Sequence, residues 1–291
     1  MDDEKLKFKL KLASIYVAEG KNLHAVQVYQ QLLNISDNYD PYFLLAELYE
    51  NMGFVDAAIN LLSGLNSSSA DNKEVSFHYG QFLLRNAKWI EAIQVLDNIK
   101  SSNPYVLFLI AYSYLMMNEY ELSKEYFTNY INSEGQSELK VEANLYLAKI
   151  EYELKNYNSA LDFATKAQFV YSDFWELNLT LAKIYYSLKM YNHALAPIQK
   201  ALRMNADDAT VQEFAGRIFY ESQEFEKAII HFSKTIDLSS EITADIYTLL
   251  AKSFLKNHKL NEAEMFFDLA LKLDPGFEAA INGKKIINKN S

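Results

Sequence analysis

Residues 251–280 read AKSFLKNHKLNEAEMFFDLALKLDPGFEAA. Two small residues, Ala251 and Ala263, stand twelve apart, Phe267 follows four beyond the second, and the polar triplet Asn257-His258-Lys259 breaks the run between them. That is the signature of two short amphipathic helices joined by a tight turn, with a notch on each helix where its neighbour comes close. Working upstream, the first notch recurs as Gly216, Ala182, Ala148, Ala111, Gly80, Ala46 and Ala13. The second recurs in step as Ala228, Ala194, Ala160, Ser123, Ala92, Ala58 and Ala25. The position four beyond carries Tyr29, Leu62, Leu96, Phe127, Ala164, Ile198, Phe232 and Phe267, mostly bulky residues that would fill the space between hairpins. Spacings of 31 to 37 residues along the whole chain mean that one hairpin is repeated eight times.

Two helices of about thirteen residues are too short to persist alone, so stability must come from stacking. Turns are expected at Gly20-Lys21-Asn22, Asn51-Met52-Gly53, Asn86-Ala87-Lys88, Asn118-Glu119, Lys155-Asn156, Lys189-Met190, Ser222-Gln223-Glu224 and Asn257-His258-Lys259. The fold class is all-α, a right-handed superhelical solenoid counted as one continuous stack. Its repeats span about 6–39, 40–72, 73–103, 104–137, 141–174, 175–208, 209–243 and 244–277, and a capping helix at 278–291 is weakened by Gly283. The stretch LKFKLKL near the start alternates like a strand, but Ala13, Tyr16 and Ala25 keep the helical phase. The polar insert Asn132-Ser133-Glu134-Gly135-Gln136-Ser137 lengthens one spacing and is read as a hinge at 132–138 or as a tolerated longer surface loop.

These residues resemble the tetratricopeptide repeat, whose pattern has a small residue at its eighth position, Tyr at the eleventh, Ala at the twentieth, an aromatic at the twenty-fourth and Pro at the thirty-second. Ala251, Phe254, Ala263, Phe267, Ala270 and Pro275 carry the match best; Ala182, Tyr185, Ala194 and Ala201 repeat it, as do Ala46, Tyr49 and Ala58. The resemblance implies a non-enzymatic scaffold or adaptor that binds a protein or peptide in a concave groove lined by the first helix of each hairpin. It places in that groove Phe43, Phe77 and Phe108 at the fifth position, and Tyr112, Lys149, Lys183, Arg217 and Lys252 at the ninth. Tyr152, Tyr186 and Tyr220 stand at the twelfth. Four cations on successive rungs form a basic ladder suited to an acidic segment, unless Glu142, Glu153, Glu176 and Glu221 simply pair with them. The tail-clamping pattern of chaperone-binding members is missing, since fifth and ninth positions pair as Phe43 with Glu47 and Leu145 with Lys149 rather than Lys with Asn.

A net charge of −10 argues against a nucleic-acid partner. Acid is concentrated early: residues 1–139 carry ten Lys and Arg against eighteen Asp and Glu, and the remainder eighteen against twenty. Without cysteine there are no thiolate metal sites or nucleophiles, and the five histidines never form HExxH. GxxxxGK, GxGxxG and GxSxG are also missing, so no enzyme activity, metal or cofactor is expected. No run of eighteen apolar residues suggests membrane insertion, and the charged start points to the cytoplasm, or to the periplasm if a leader has been removed. The alternatives to an adaptor are a self-assembling homo-oligomer and an accessory factor of a bacterial envelope or motility machine. Twenty-five Lys against three Arg fit an AT-rich bacterial genome.

Overall fold

The computed structural model describes residues 3–33, 38–69, 71–133 and 138–290, so the proposed hinge lies largely outside the described residues. Every described element is helical, in two compact units, Met1–Gly135 and Gln136–Ser291. The first unit holds four hairpins: α1 (Asp3–Ala18) with α2 (Asn22–Leu33), α3 (Asp40–Asn51) with α4 (Val55–Ser68), α5 (Lys73–Arg85) with α6 (Trp89–Asp97), and α7 (Pro104–Met116) with α8 (Tyr120–Asn132). The second holds α9 (Glu138–Glu153) with α10 (Tyr157–Val170), α11 (Trp175–Ser187) with α12 (Tyr191–Met204), α13 (Ala209–Glu221) with α14 (Phe225–Leu238), and α15 (Ala244–Lys256) with α16 (Leu260–Leu273). A last helix, α17 (Glu278–Asn290), packs on α16 and α15. The strand-like LKFKLKL lies inside α1.

All sixteen notch residues are buried, and so is the row of fillers from Tyr29 to Phe267. Where the second notch is serine instead of alanine, the fully buried Ser123 hydroxyl donates to the Ala111 carbonyl at 2.8 Å, which removes the penalty of a polar group in the seam.

Each hairpin turns in the same way. Seven residues after the first notch, Gly20, Gly53, Ala87, Asn118, Lys155, Lys189, Gln223 and His258 all adopt left-handed backbone, with φ between 55° and 83°. The next amide then reaches back five residues, as from Lys21 to Tyr16, Lys88 to Leu83, Met190 to Tyr185 and Lys259 to Phe254, at 2.8 to 2.9 Å. This closes the last helical turn and satisfies a carbonyl that would otherwise be orphaned.

Connections between hairpins are fixed from the residue four before the first notch. Tyr42 donates its hydroxyl to the Leu33 carbonyl, Asn178 its amide to the Ser172 and Phe174 carbonyls, and Gln212 its amide to the Ala206 carbonyl. Lys9, at the same register, bonds instead within its own hairpin, donating to Gln31 Oε1. Gln212 also meets His231 Nδ1 at 2.7 Å, and that imidazole stacks on Phe219. Side-chain caps from Asn72, Asn103, Asp208 and Thr243 start α5, α7, α13 and α15.

One expectation reverses at the C-terminal helix. Gly283 is not a weak point there but a fitted one, because a Cβ at that position would run into the ring of the fully buried Phe267. Ala280 and Ile287 close over the same cluster.

Candidate functional site

In the first unit the three phenylalanines do not share one environment. Phe43 lies over the His78 ring with centroids 4.4 Å apart, and Phe77 meets Tyr105 edge-on at 6.2 Å; both are half-buried. Phe108 is only 6% exposed, wedged between Phe127 and Tyr130 with Tyr105 stacked on it. It therefore belongs to the packing between helices and offers no surface to a partner. Tyr112 packs edge-on against Trp89. Of the acids on this face Glu50 is already engaged, taking two bonds from Arg85, at 3.0 and 2.6 Å, and a third from Asn86 at 2.8 Å, whereas Glu47 is exposed.

In the second unit the first helices touch one another in series, α9 with α11, α11 with α13, and α13 with α15, so their ninth-position cations stand on adjoining helices. Lys149 pairs with Glu176. Arg217 is held by Glu213 at 2.8 Å and by Asp245 at 2.6 Å. Burial works against the Arg217 charge, and those two carboxylates more than offset it, so its pKa lies above the usual arginine value. Lys183 differs: its ammonium lies 4.8 Å from the Phe214 ring centre, and among the described residues it forms no ion pair. Burial lowers its pKa despite attraction from Glu153, Glu213 and Asp208. Lys252 also lacks an ion pair among the described residues.

The three tyrosines are positioned by their own hairpins. Tyr152 leans on Tyr157, Tyr186 on Tyr191 and Tyr220 on Phe225, each with centroids 5.6 to 5.7 Å apart across the turn. Burial raises all three pKa values, which keeps the hydroxyls neutral and available as hydrogen-bond donors. Lys149, Tyr152, Trp175, Glu176, Lys183 and Thr210 line an open cleft of about 260 Å³. Trp175, Thr210 and Phe214 were not singled out from the sequence; they stand seven, six and two residues before the first notch of their hairpins. A more apolar hollow of about 440 Å³, bordered by Val141, Leu145, Val170 and Phe174, lies beside Phe169, which is 93% exposed.

Among the described residues no cluster of three or more His, Asp or Glu could hold a metal ion, and no helix is long and apolar enough to cross a membrane.

Comparison with known proteins places the fold. Three family profiles, each described as tetratricopeptide repeat, match residues 105–137, 179–241 and 244–277. No curated protein matches the sequence. Among solved structures, a tetratricopeptide repeat protein from Parabacteroides merdae is 18% identical, covering 86% of this chain and 98% of its own at a TM-score of 0.59. YrrB, described as having an unusual peptide-binding site, is 17% identical over 68% of this chain and 97% of its own, with a TM-score of 0.56. A chain of the Cut9–Hcn1 hetero-tetramer of APC/C is 16% identical over 91% of this chain and 52% of its own, at 0.59.

Proposed function

Because the chain belongs to the tetratricopeptide repeat family, whose fold generally serves as a non-enzymatic scaffold for protein–protein interaction, we propose that it holds a polypeptide segment of another protein in the cleft of its second unit and so supports assembly of a complex. The observation that carries this reading is the lining of that cleft. Tyr152 and Trp175 line it together with Lys183 and Thr210, a mixture of rings, cation and hydroxyl suited to peptide amides and aliphatic side chains together. The peptide-binding site named for YrrB and the multi-chain assembly named for Cut9–Hcn1 lend support by fold alone. In the first unit, Phe43, Phe77 and Tyr112 are the half-buried aromatic groups that we offer to a partner, because Phe108 is enclosed.

Affinity capture from the native cell with wild-type protein and with a Tyr152→Ser, Trp175→Ser double variant tests the reading. A partner retained by the wild type and lost from a folded double variant supports it; equal retention overturns it. Self-association is the second reading, favoured by the exposed Phe169 beside its apolar hollow. Sedimentation over a hundredfold concentration range separates the two, since an adaptor stays monomeric when alone.

A further inference from the structure

Two ion pairs of the second unit share one arrangement, and the hairpin between them lacks it. Glu176 and Asp245 each stand six residues before the first notch of their hairpin, and each pairs with the ninth-position cation of the hairpin before it, Lys149 and Arg217. In the hairpin between them the same place is held by Thr210, which lines the cleft together with Lys183. The central cation of the row has thus lost the acid that its neighbours keep.

Three carboxylates, Glu153, Glu176 and Asp208, line the same cleft, and none of them forms an ion pair with Lys183. Glu213 is bonded to Arg217, Asp208 accepts from the Val211 amide as the cap of α13, and Glu153 acts on Lys183 only from beyond ion-pair distance. The ammonium is already partly stripped of water by folding and lies against the Phe214 ring. A carboxylate arriving there meets a cation whose desolvation has largely been met in advance, which makes pairing stronger than at an exposed lysine.

We propose that Lys183 reads one carboxylate, the side chain of a single Asp or Glu in an extended segment of a partner protein, which completes the ladder where Thr210 leaves it open. Recognition in the cleft is of one acid and not of an acidic run, because Lys149 and Arg217 are already neutralised and Lys252, the other ladder cation without an ion pair among the described residues, does not line the cleft. Trp175 and Tyr152 line the same cleft and would hold the chain next to that acid. The proposal rests on the reading of this cleft as a polypeptide site and adds what is read there.

The test supplies the missing acid from within. Random dodecapeptides displayed on phage are selected on the whole chain as wild type, Thr210→Glu and Thr210→Gln. Thr210 is exposed in the first turn of α13, where an added carboxylate also suits the helix dipole, so Thr210→Glu folds and its thermal midpoint rises. Wild type and Thr210→Gln enrich one Asp or Glu at a fixed distance from an aromatic or aliphatic residue. Thr210→Glu recovers the apolar pattern without the acid. For a selected peptide, changing its acid to the amide weakens binding to wild type about tenfold and to Thr210→Glu less than about twofold. Enrichment without acid preference in the wild type overturns the proposal and leaves peptide binding standing, and unchanged acid preference in Thr210→Glu also overturns it. Failure of any sequence to enrich overturns both.

Discussion

The two compact units share one hairpin yet finish it with different materials. In the first, Gly80 faces Leu96 across the seam; in the second, Gly216 faces Phe232. The first unit turns its hairpins on Gly20, Gly53, Ala87 and Asn118, whereas the second uses Lys155, Lys189, Gln223 and His258. On the first helices of the first unit's hairpins the acid Glu50 is bonded three times over; on those of the second, Lys183 is left without an ion pair among the described residues. The repeat thus fixes backbone register tightly and leaves side-chain chemistry free to differ between the units. A tryptophan in each unit, Trp89 and Trp175, lets the two be followed separately by fluorescence once the other is changed to Phe.

The largest effect is expected at the seams. A Cβ at Gly216 would come within 2.7 Å of the Phe232 ring, which is fully buried and planar and cannot fold away. Overpacking of this kind costs about 2–3 kcal/mol, against about 1 kcal/mol gained by replacing glycine with alanine inside a helix. Gly216→Ala therefore destabilises the second unit by about 1–2 kcal/mol. Gly80→Ala makes contacts of 2.5 and 2.7 Å with Cδ2 and Cγ of the fully buried Leu96, a branched aliphatic chain that can turn where a ring cannot; its net effect on the first unit is below about 1 kcal/mol. Urea titrations of the two single-tryptophan proteins check the pair. Equal losses would mean that the filler's shape does not matter to the seam.

Those notches were legible in the sequence because they are a constraint of volume, and volume is written in residue type. The turn register was legible for the same reason, since a break must follow every first helix. Which residue takes the left-handed position was not: Lys189 and Gln223 carry no mark of it, and backbone bonds such as that from the Met190 amide to the Tyr185 carbonyl impose it. The basic row was visible, but its neutralisation was only half seen. Glu176 was named as a candidate partner, whereas Asp245 and the gap at Thr210 become evident only when the acid is counted from the next hairpin's notch. Phe108 was misjudged because position within a repeat says nothing of how deeply that helix sits, and α7 is apolar on all sides. Gly283 was judged on helix propensity alone, without the Phe267 ring that needs its space.

Acid should separate the units next. Burial, with Lys227 and Lys234 nearby, lowers the His231 pKa from 6.5 to about 4 in the folded chain. The unfolded chain therefore takes up its proton first as pH falls, so His231 contributes its full stability above about 6.5, loses it progressively down to about 4, and contributes none below. The ring is partly open to solvent, and after screening the loss amounts to about 1 kcal/mol. The urea midpoint reported by Trp175 should drop between pH 7 and 4.5 in the wild type and drop less in His231→Gln. An identical pH slope in the variant would assign the acid sensitivity to other groups.

The smallest effects concern the turns, and here the comparison can be made to close. An L-residue in left-handed backbone costs about 1–2 kcal/mol, of which glycine recovers all but the roughly 0.5–1 kcal/mol it loses in chain entropy on folding. Each glycine placed at Lys155, Lys189, Gln223 or His258 should thus stabilise the second unit by about 0.5 kcal/mol, and the turns lie far enough apart for the gains to add to about 2 kcal/mol. In the first unit, Ala87→Gly offers one such gain, Asn118→Gly less because asparagine tolerates this backbone, and Gly20 and Gly53 none. The fourfold variant, read by Trp175 in urea, should raise the second unit's midpoint while the signal from Trp89 stays where it was. No rise would mean that the amides reaching back across each turn already hold these residues without strain, and that the units differ in turn composition but not in turn energy.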